Sequence, residues 1–191
     1  MASLDTKTRA LDIARHYLQT LGFNGFSFQT VADALGIKKA SLHYYFASKE
    51  DLALALLDGY IREYENWIIK VADLPAPRKL EQMFKIFYKM SQDHNQICPA
   101  GALCADYSSL SAKAKTKLLD FHNTQRNWLI QTLKEGIKDK SLRTDLSPSL
   151  VADQFMTCIQ GGVQIARMRG ESESFKTLTK SLLKEILKKT P

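Results

Sequence analysis

Between Lys38 and Lys49 the chain places three lysines, His43, Tyr44, Tyr45 and two serines, with no acidic residue among them. Ammonium, phenol, hydroxyl and imidazole groups can all donate hydrogen bonds, and such a set suits a surface dense in anionic oxygens. A nucleic-acid phosphate backbone is one such surface. The whole-chain charge of +7 supports this only weakly, because residues 1–50 carry six basic against four acidic residues. The clustering of the lysines, rather than their total, points to a polyanionic partner.

A cluster of donors needs elements to hold it. No segment sustains strand alternation, and apolar residues recur at helical spacing almost throughout, so the chain reads as all-α with about nine helices. A helix over about residues 6–21 presents Ala10, Ile13, Ala14, Tyr17, Leu18 and Leu21 on one stripe and stops at Gly22. Ser27 is placed to cap a short helix over 28–35, and Gly36 breaks it with a turn that favours positive φ. A second short helix covers about 39–45, and Ser48, with Asp51 three residues on, caps a long helix running past Trp67. Val31, Ala32, Leu35, Gly36, Ile37 and Leu42 have helix-turn-helix spacing. The small Ala32 lets two helices cross closely, the glycine makes the turn, and the apolar residues lock the crossing with the second helix facing outward.

Beyond the prolines of "LPAPRKL", helices are expected over 78–95, from Pro99 to about 110, over 111–140, from Pro148 behind a Ser147 cap to Arg169, and over 173–189. No apolar run approaches the roughly eighteen residues of a membrane span, and the charged N-terminus does not read as a secretory signal. A cytoplasmic protein without a membrane partner is expected. Cys98, Cys104 and Cys158 are an odd set without CxxC spacing, and His94 and His122 lack neighbouring ligands. Reduced thiols, no metal and no cofactor are expected. No catalytic residues are recognisable as a nucleophile, base and orienter, so an enzyme is not expected.

The stretch "GFNGFSFQTVADALGIKKASLHYYFASKEDL" following an amphipathic helix resembles the N-terminal domain of the TetR family of one-component transcription regulators. The likeness is carried by Gly22-Phe23, Val31-Ala32, Leu35-Gly36-Ile37, Leu42, Tyr44, Phe46 and Ser48-Lys49-Glu50 before Leu52. It implies a three-helix DNA-binding domain over residues 1–50 and a larger helical ligand-binding and dimerisation domain over 51–191. The implied function is a ligand-responsive, sequence-specific regulator, a repressor released from double-stranded operator DNA by a small-molecule effector and acting as a homodimer. Residues 39–45 become the recognition helix. Ser27, Lys38, Ser41, Tyr44, Tyr45 and Lys49 would lie near phosphates, while Gln29, Lys39, Ala40 and His43 would meet bases. Two positions depart from the family pattern. Lys38 stands where a Ser or Thr cap is usual, and the order His43-Tyr44-Tyr45 replaces Tyr-Tyr-His.

Candidate effector contacts are Trp67, Phe84, Phe87, Tyr88, Cys104, Tyr107, Phe121 and Trp128, aromatic or thiol groups able to wall an apolar pocket. Trp128, Leu129, Leu133, Phe155, Gly161 and Gly162 are the candidate dimerisation residues, the glycine pair because two adjacent glycines inside a helix suggest close backbone approach. One alternative keeps the DNA-binding domain and makes Cys98 or Cys104 a thiol sensor of oxidants or electrophiles. A remote alternative is a helical enzyme or carrier.

Overall fold

The computed structural model describes residues 2–92 and 96–187. Among them are nine α-helices: α1 (Ala2–Leu21), α2 (Phe28–Leu35), α3 (Lys39–His43), α4 (Lys49–Val71), α5 (Ala76–Gln92), α6 (Pro99–Ala105), α7 (Ala112–Lys138), α8 (Pro148–Arg169) and α9 (Glu173–Ile186). One 3-10 turn, Tyr107–Ser109, follows α6, and Leu142 and Leu187 form an isolated antiparallel bridge. The all-α expectation holds. His94 and the helix ends expected at 95 and 189 lie outside the described residues.

The chain forms two compact units. The first comprises Met1–Glu65 and Pro99–Leu119, the second Asn66–Cys98 and Asp120–Pro191. Residues 99–119, which the division drawn at residue 50 groups with the larger domain, thus pack with the N-terminal helices.

In the first unit, α1 packs on α2 and α6, and α2 on α3. Ala10, Ala14 and Leu18 of α1, Val31 and Ala32 of α2, and Leu42 of α3 are all fully buried. In the second unit α5, α8 and α9 pack on one another. The core of this unit holds Leu80, Phe84, Phe155 and Phe175 from these helices and Leu129 and Leu133 from α7, with the Phe84 and Phe155 rings 5.1 Å apart. Helix α8 starts as its sequence dictates: the Ser147 side chain accepts from the Leu150 amide, and Pro148 fills a first-turn position whose N–H would have no partner.

Candidate functional site

The turn between α2 and α3 is built from both sides. The Ser27 hydroxyl accepts from the Thr30 amide at 3.1 Å while the Thr30 hydroxyl accepts from the Ser27 amide, a reciprocal cap that fixes the start of α2. Gly36 ends the helix at φ 69°, donating to the Ala32 and Asp33 carbonyls. A Cβ at Gly36 would meet nothing within 4 Å, so backbone conformation and not space calls for glycine. Helix α3 then hangs on one buried residue, Leu42.

Around Leu42, α3 offers donors to solvent. Lys38, Lys39, Ala40, Ser41, His43 and Tyr44 are all exposed, Tyr44 to 82%. Tyr45 is half-buried with its ring 5.2 Å from that of Tyr44, edge to face. The His43 ring packs edge-on to Phe28 at 4.8 Å, with Nδ1 3.3 Å from the Ala47 carbonyl. That contact holds the imidazole against α2 and leaves its other edge for a ligand. On α2, Gln29 is exposed and its amide donates to Asp33 at 2.7 Å. Lys38 occupies the N-cap of α3 and makes no side-chain cap, while its carbonyl accepts from the Ser41 amide at 2.9 Å.

Lys49 is placed differently from a freely extended phosphate donor. Its Nζ donates to the carbonyls of Phe23 at 2.7 Å and Phe26 at 3.0 Å, over both rings. One N–H remains. Burial holds its pKa below the ordinary lysine value, and the Asp106 carboxylate opposes that shift. The side chain braces the loop before α2 as much as it faces outward. Ser48 caps α4, accepting from the Asp51 amide at 3.0 Å.

Asp106 had no signal in the sequence. Its carboxylate accepts from the Asn24 backbone amide at 3.2 Å and from the Asn24 side chain at 2.8 Å, and the same Asn24 amide donates to the Ser109 hydroxyl at 2.9 Å. The α1–α2 loop is thereby tied to the segment after α6, 82 residues along the chain. Asp106→Ala is expected to cost about 1 kcal/mol, since these bonds are solvent-accessible, and to lower Tm by about 2–4 °C in a thermal melt. An unchanged Tm would show the tie to be ornamental.

The candidate effector residues are divided between the two units. The Trp67 and Trp128 rings meet at a tilt of 58° with centroids 4.9 Å apart. Phe84 and Tyr88 line a cleft between α5 and α9, whereas Phe87 and Phe121 are buried side chains of the second unit. Cys104 and Tyr107 belong to the first unit and are exposed, Tyr107 beneath the Lys115 ammonium. Cys98 is buried.

The candidate dimerisation residues differ in burial. Leu129, Leu133 and Phe155 are 1%, 0% and 1% exposed within a single chain, so they belong to its own core. At Gly162 a Cβ would come within 2.7 Å of the Phe175 ring, so this glycine admits α9 of the same chain. Gly161 and the partly exposed Trp128 remain outside that core. Gly161 instead belongs to an exposed stripe of α8 with Leu150, Ile165 and Met168, which are 58%, 48% and 78% exposed.

A short helix that is anchored by one apolar residue behind a glycine turn, with cations and phenols outward, defines a helix-turn-helix DNA-binding protein. Comparison with known proteins specifies the family. Residues 10–56 match the model of the tetR family of bacterial regulatory proteins, and residues 76–182 match the tetracyclin repressor-like C-terminal domain. The chain belongs to this family and is a DNA-binding transcription regulator. It is 26% identical over 163 residues to the transcriptional repressor DhaR of Mycobacterium sp. (strain GP1), covering 82% of this chain and 81% of the relative. It is 28% identical over 151 residues to the repressor KstR2 of Rhodococcus jostii, covering 75% and 71%. A TetR family regulator from Agrobacterium tumefaciens shares the fold with a TM-score of 0.92 at 23% identity, over 97% of this chain and 100% of that one. No described helix is long and apolar enough to cross a membrane.

Proposed function

We propose that the protein is a homodimeric repressor that lays α3 in the major groove of a pseudo-palindromic operator and releases it when a small molecule binds the second unit. The observation that carries the DNA-binding half is the division of α3: Leu42 is fully buried, while Lys38, Lys39, Ala40, Ser41, His43 and Tyr44 are exposed around it. The repressor sense follows the relatives named as repressors. In this reading Lys39, Ala40, His43 and Gln29 meet base edges, and Ser27, Lys38, Ser41, Tyr44, Tyr45 and the remaining Lys49 N–H meet phosphates.

Release needs an effector that distinguishes two arrangements of the dimer, and a tenfold change in operator affinity takes about 1.4 kcal/mol of differential binding. Helices α4 and α7 each run across the division between the units, at residues 65 and 66 and at residues 119 and 120, so they are the elements through which the second unit can bias the first. The dimer face in this reading is the α8 stripe of Leu150, Gly161, Ile165 and Met168.

Selection from randomised duplexes followed by titration at matched salt tests the DNA reading. Selected DNA is expected to bind far more tightly than random DNA, and equal affinity for the two would end it. Lys39→Ala is expected to remove about 1–3 kcal/mol of discrimination at one base pair of each half-site while leaving the melting temperature unchanged. A uniform loss across all sequences would instead make Lys39 a phosphate contact.

A further inference from the structure

The cleft between α5 and α9 has a volume of about 470 Å³, within the range of small-molecule sites. Its apolar walls come from Phe84, Tyr88, Leu183 and Leu187. Four lysines, Lys85, Lys176, Lys180 and Lys184, line it with a single carboxylate, Glu81, which is itself paired with Arg78 at 2.7 Å. Lys176 is held by Glu173, and Glu173 also accepts from the Tyr88 hydroxyl. Lys85, Lys180 and Lys184 are exposed and make no ion pair with a described residue.

Lys176, Lys180 and Lys184 follow one another at four-residue spacing on α9, where like charges repel. Solvated lysines also lay their stems on apolar surface, but here the apolar walls enclose a cleft of ligand size. A neutral apolar ligand would use the walls and leave the lysines unanswered, and a small inorganic anion would do the reverse. We infer that the cleft binds an amphipathic anion, with an apolar chain against Phe84, Tyr88, Leu183 and Leu187 and an acidic head, carboxylate or phosphate, among Lys85, Lys180 and Lys184. The hydroxyl of the buried Thr179 is bonded to the Phe175 and Lys176 carbonyls of its own helix, so specificity lies in the lysines. Taken as an effector site, the cleft rests on the regulator reading above; taken as a binding site, it does not.

Calorimetric titration of the full chain without DNA tests it, with decanoate, decyl phosphate, decanol and inorganic phosphate as probes below any micellar concentration. Decanoate or decyl phosphate is expected to bind at least tenfold more tightly than decanol, and inorganic phosphate at least tenfold more weakly than either amphiphile. The tighter of the two acids identifies the head group. The advantage over decanol is expected to shrink as KCl is raised and to fall at least fivefold in K180Q/K184Q. Decanol binding as tightly as both acids, or an advantage indifferent to both salt and the double substitution, overturns the proposal. Should the double variant not fold, the wild-type decanoate-to-decanol ratio and its salt dependence decide. Because no DNA is present, failure here and failure of operator recognition are separate results.

Discussion

Ile165→Lys is expected to yield a folded monomer whose affinity for a two-half-site operator falls on the order of a hundredfold or more. Ile165 is 48% exposed on α8, so a lysine there can reach solvent in a single chain without disturbing its core. In a twofold dimer built on this stripe, each patch meets its own copy, and the substitution brings two ammonium groups into a closed apolar contact. Losing the dimer loses the gain from engaging both half-sites at once, which is where the hundredfold arises. Sedimentation velocity and operator titration read the two effects separately. A stable dimer of the variant would move the interface off α8. The contrast is Leu133→Ala, where a fully buried side chain is truncated and about 2–5 kcal/mol of fold stability is lost whatever the oligomeric state.

The second large effect is expected at Leu42. Its side chain is fully buried and is the only buried residue of the five-residue α3. Truncation to alanine is expected to cost about 2–5 kcal/mol, against a typical total of about 5–15 kcal/mol for a domain. Five residues without an N-terminal side-chain cap have little stability of their own, so the loss falls first on α3. Hydrogen exchange should show α2 and α3 amides losing protection while those of α8 keep theirs, and operator binding should disappear. Uniform loss of protection across the chain would mean that the two units unfold together. Set beside Lys39→Ala, this pair separates the scaffold of the recognition helix from its reading edge.

The local physics of the turn was legible in the sequence. Ser27 and Ser48 are short polar residues ahead of helical periodicity, and both cap. Gly36 sits where a turn needs positive φ, and has it. Lys38 was visible as a residue that cannot cap, and it does not. What periodicity could not decide is what an apolar face packs against. The stripe of Leu129 and Leu133 looks the same whether it meets its own chain or a copy, and only burial shows that it meets its own. The α8 stripe, diluted by Gln154, Thr157 and Gly161, carried a weaker hydrophobic signal and is exposed. The adjacent glycines shared one explanation in the sequence and have two in the structure, since Gly162 faces Phe175 and Gly161 faces nothing. Long side chains escaped as well: the flexible stem of Lys49 turns back to two carbonyls. Nothing local to Asn24 could announce a partner at Asp106.

The first unit is assembled from two stretches of chain, residues 1–65 and 99–119, with part of the second unit threaded between them. Such a layout constrains how these regulators can be recombined. A single crossover near residue 50 would graft a foreign 99–119 segment beneath the native α1, putting an unselected residue opposite Asn24. A working chimera would need two exchanges, so that the N-terminal block travels with its later partner. In a lineage that shuffles its input modules, that requirement would couple the inheritance of segments far apart in the gene and favour divergence in place over wholesale exchange.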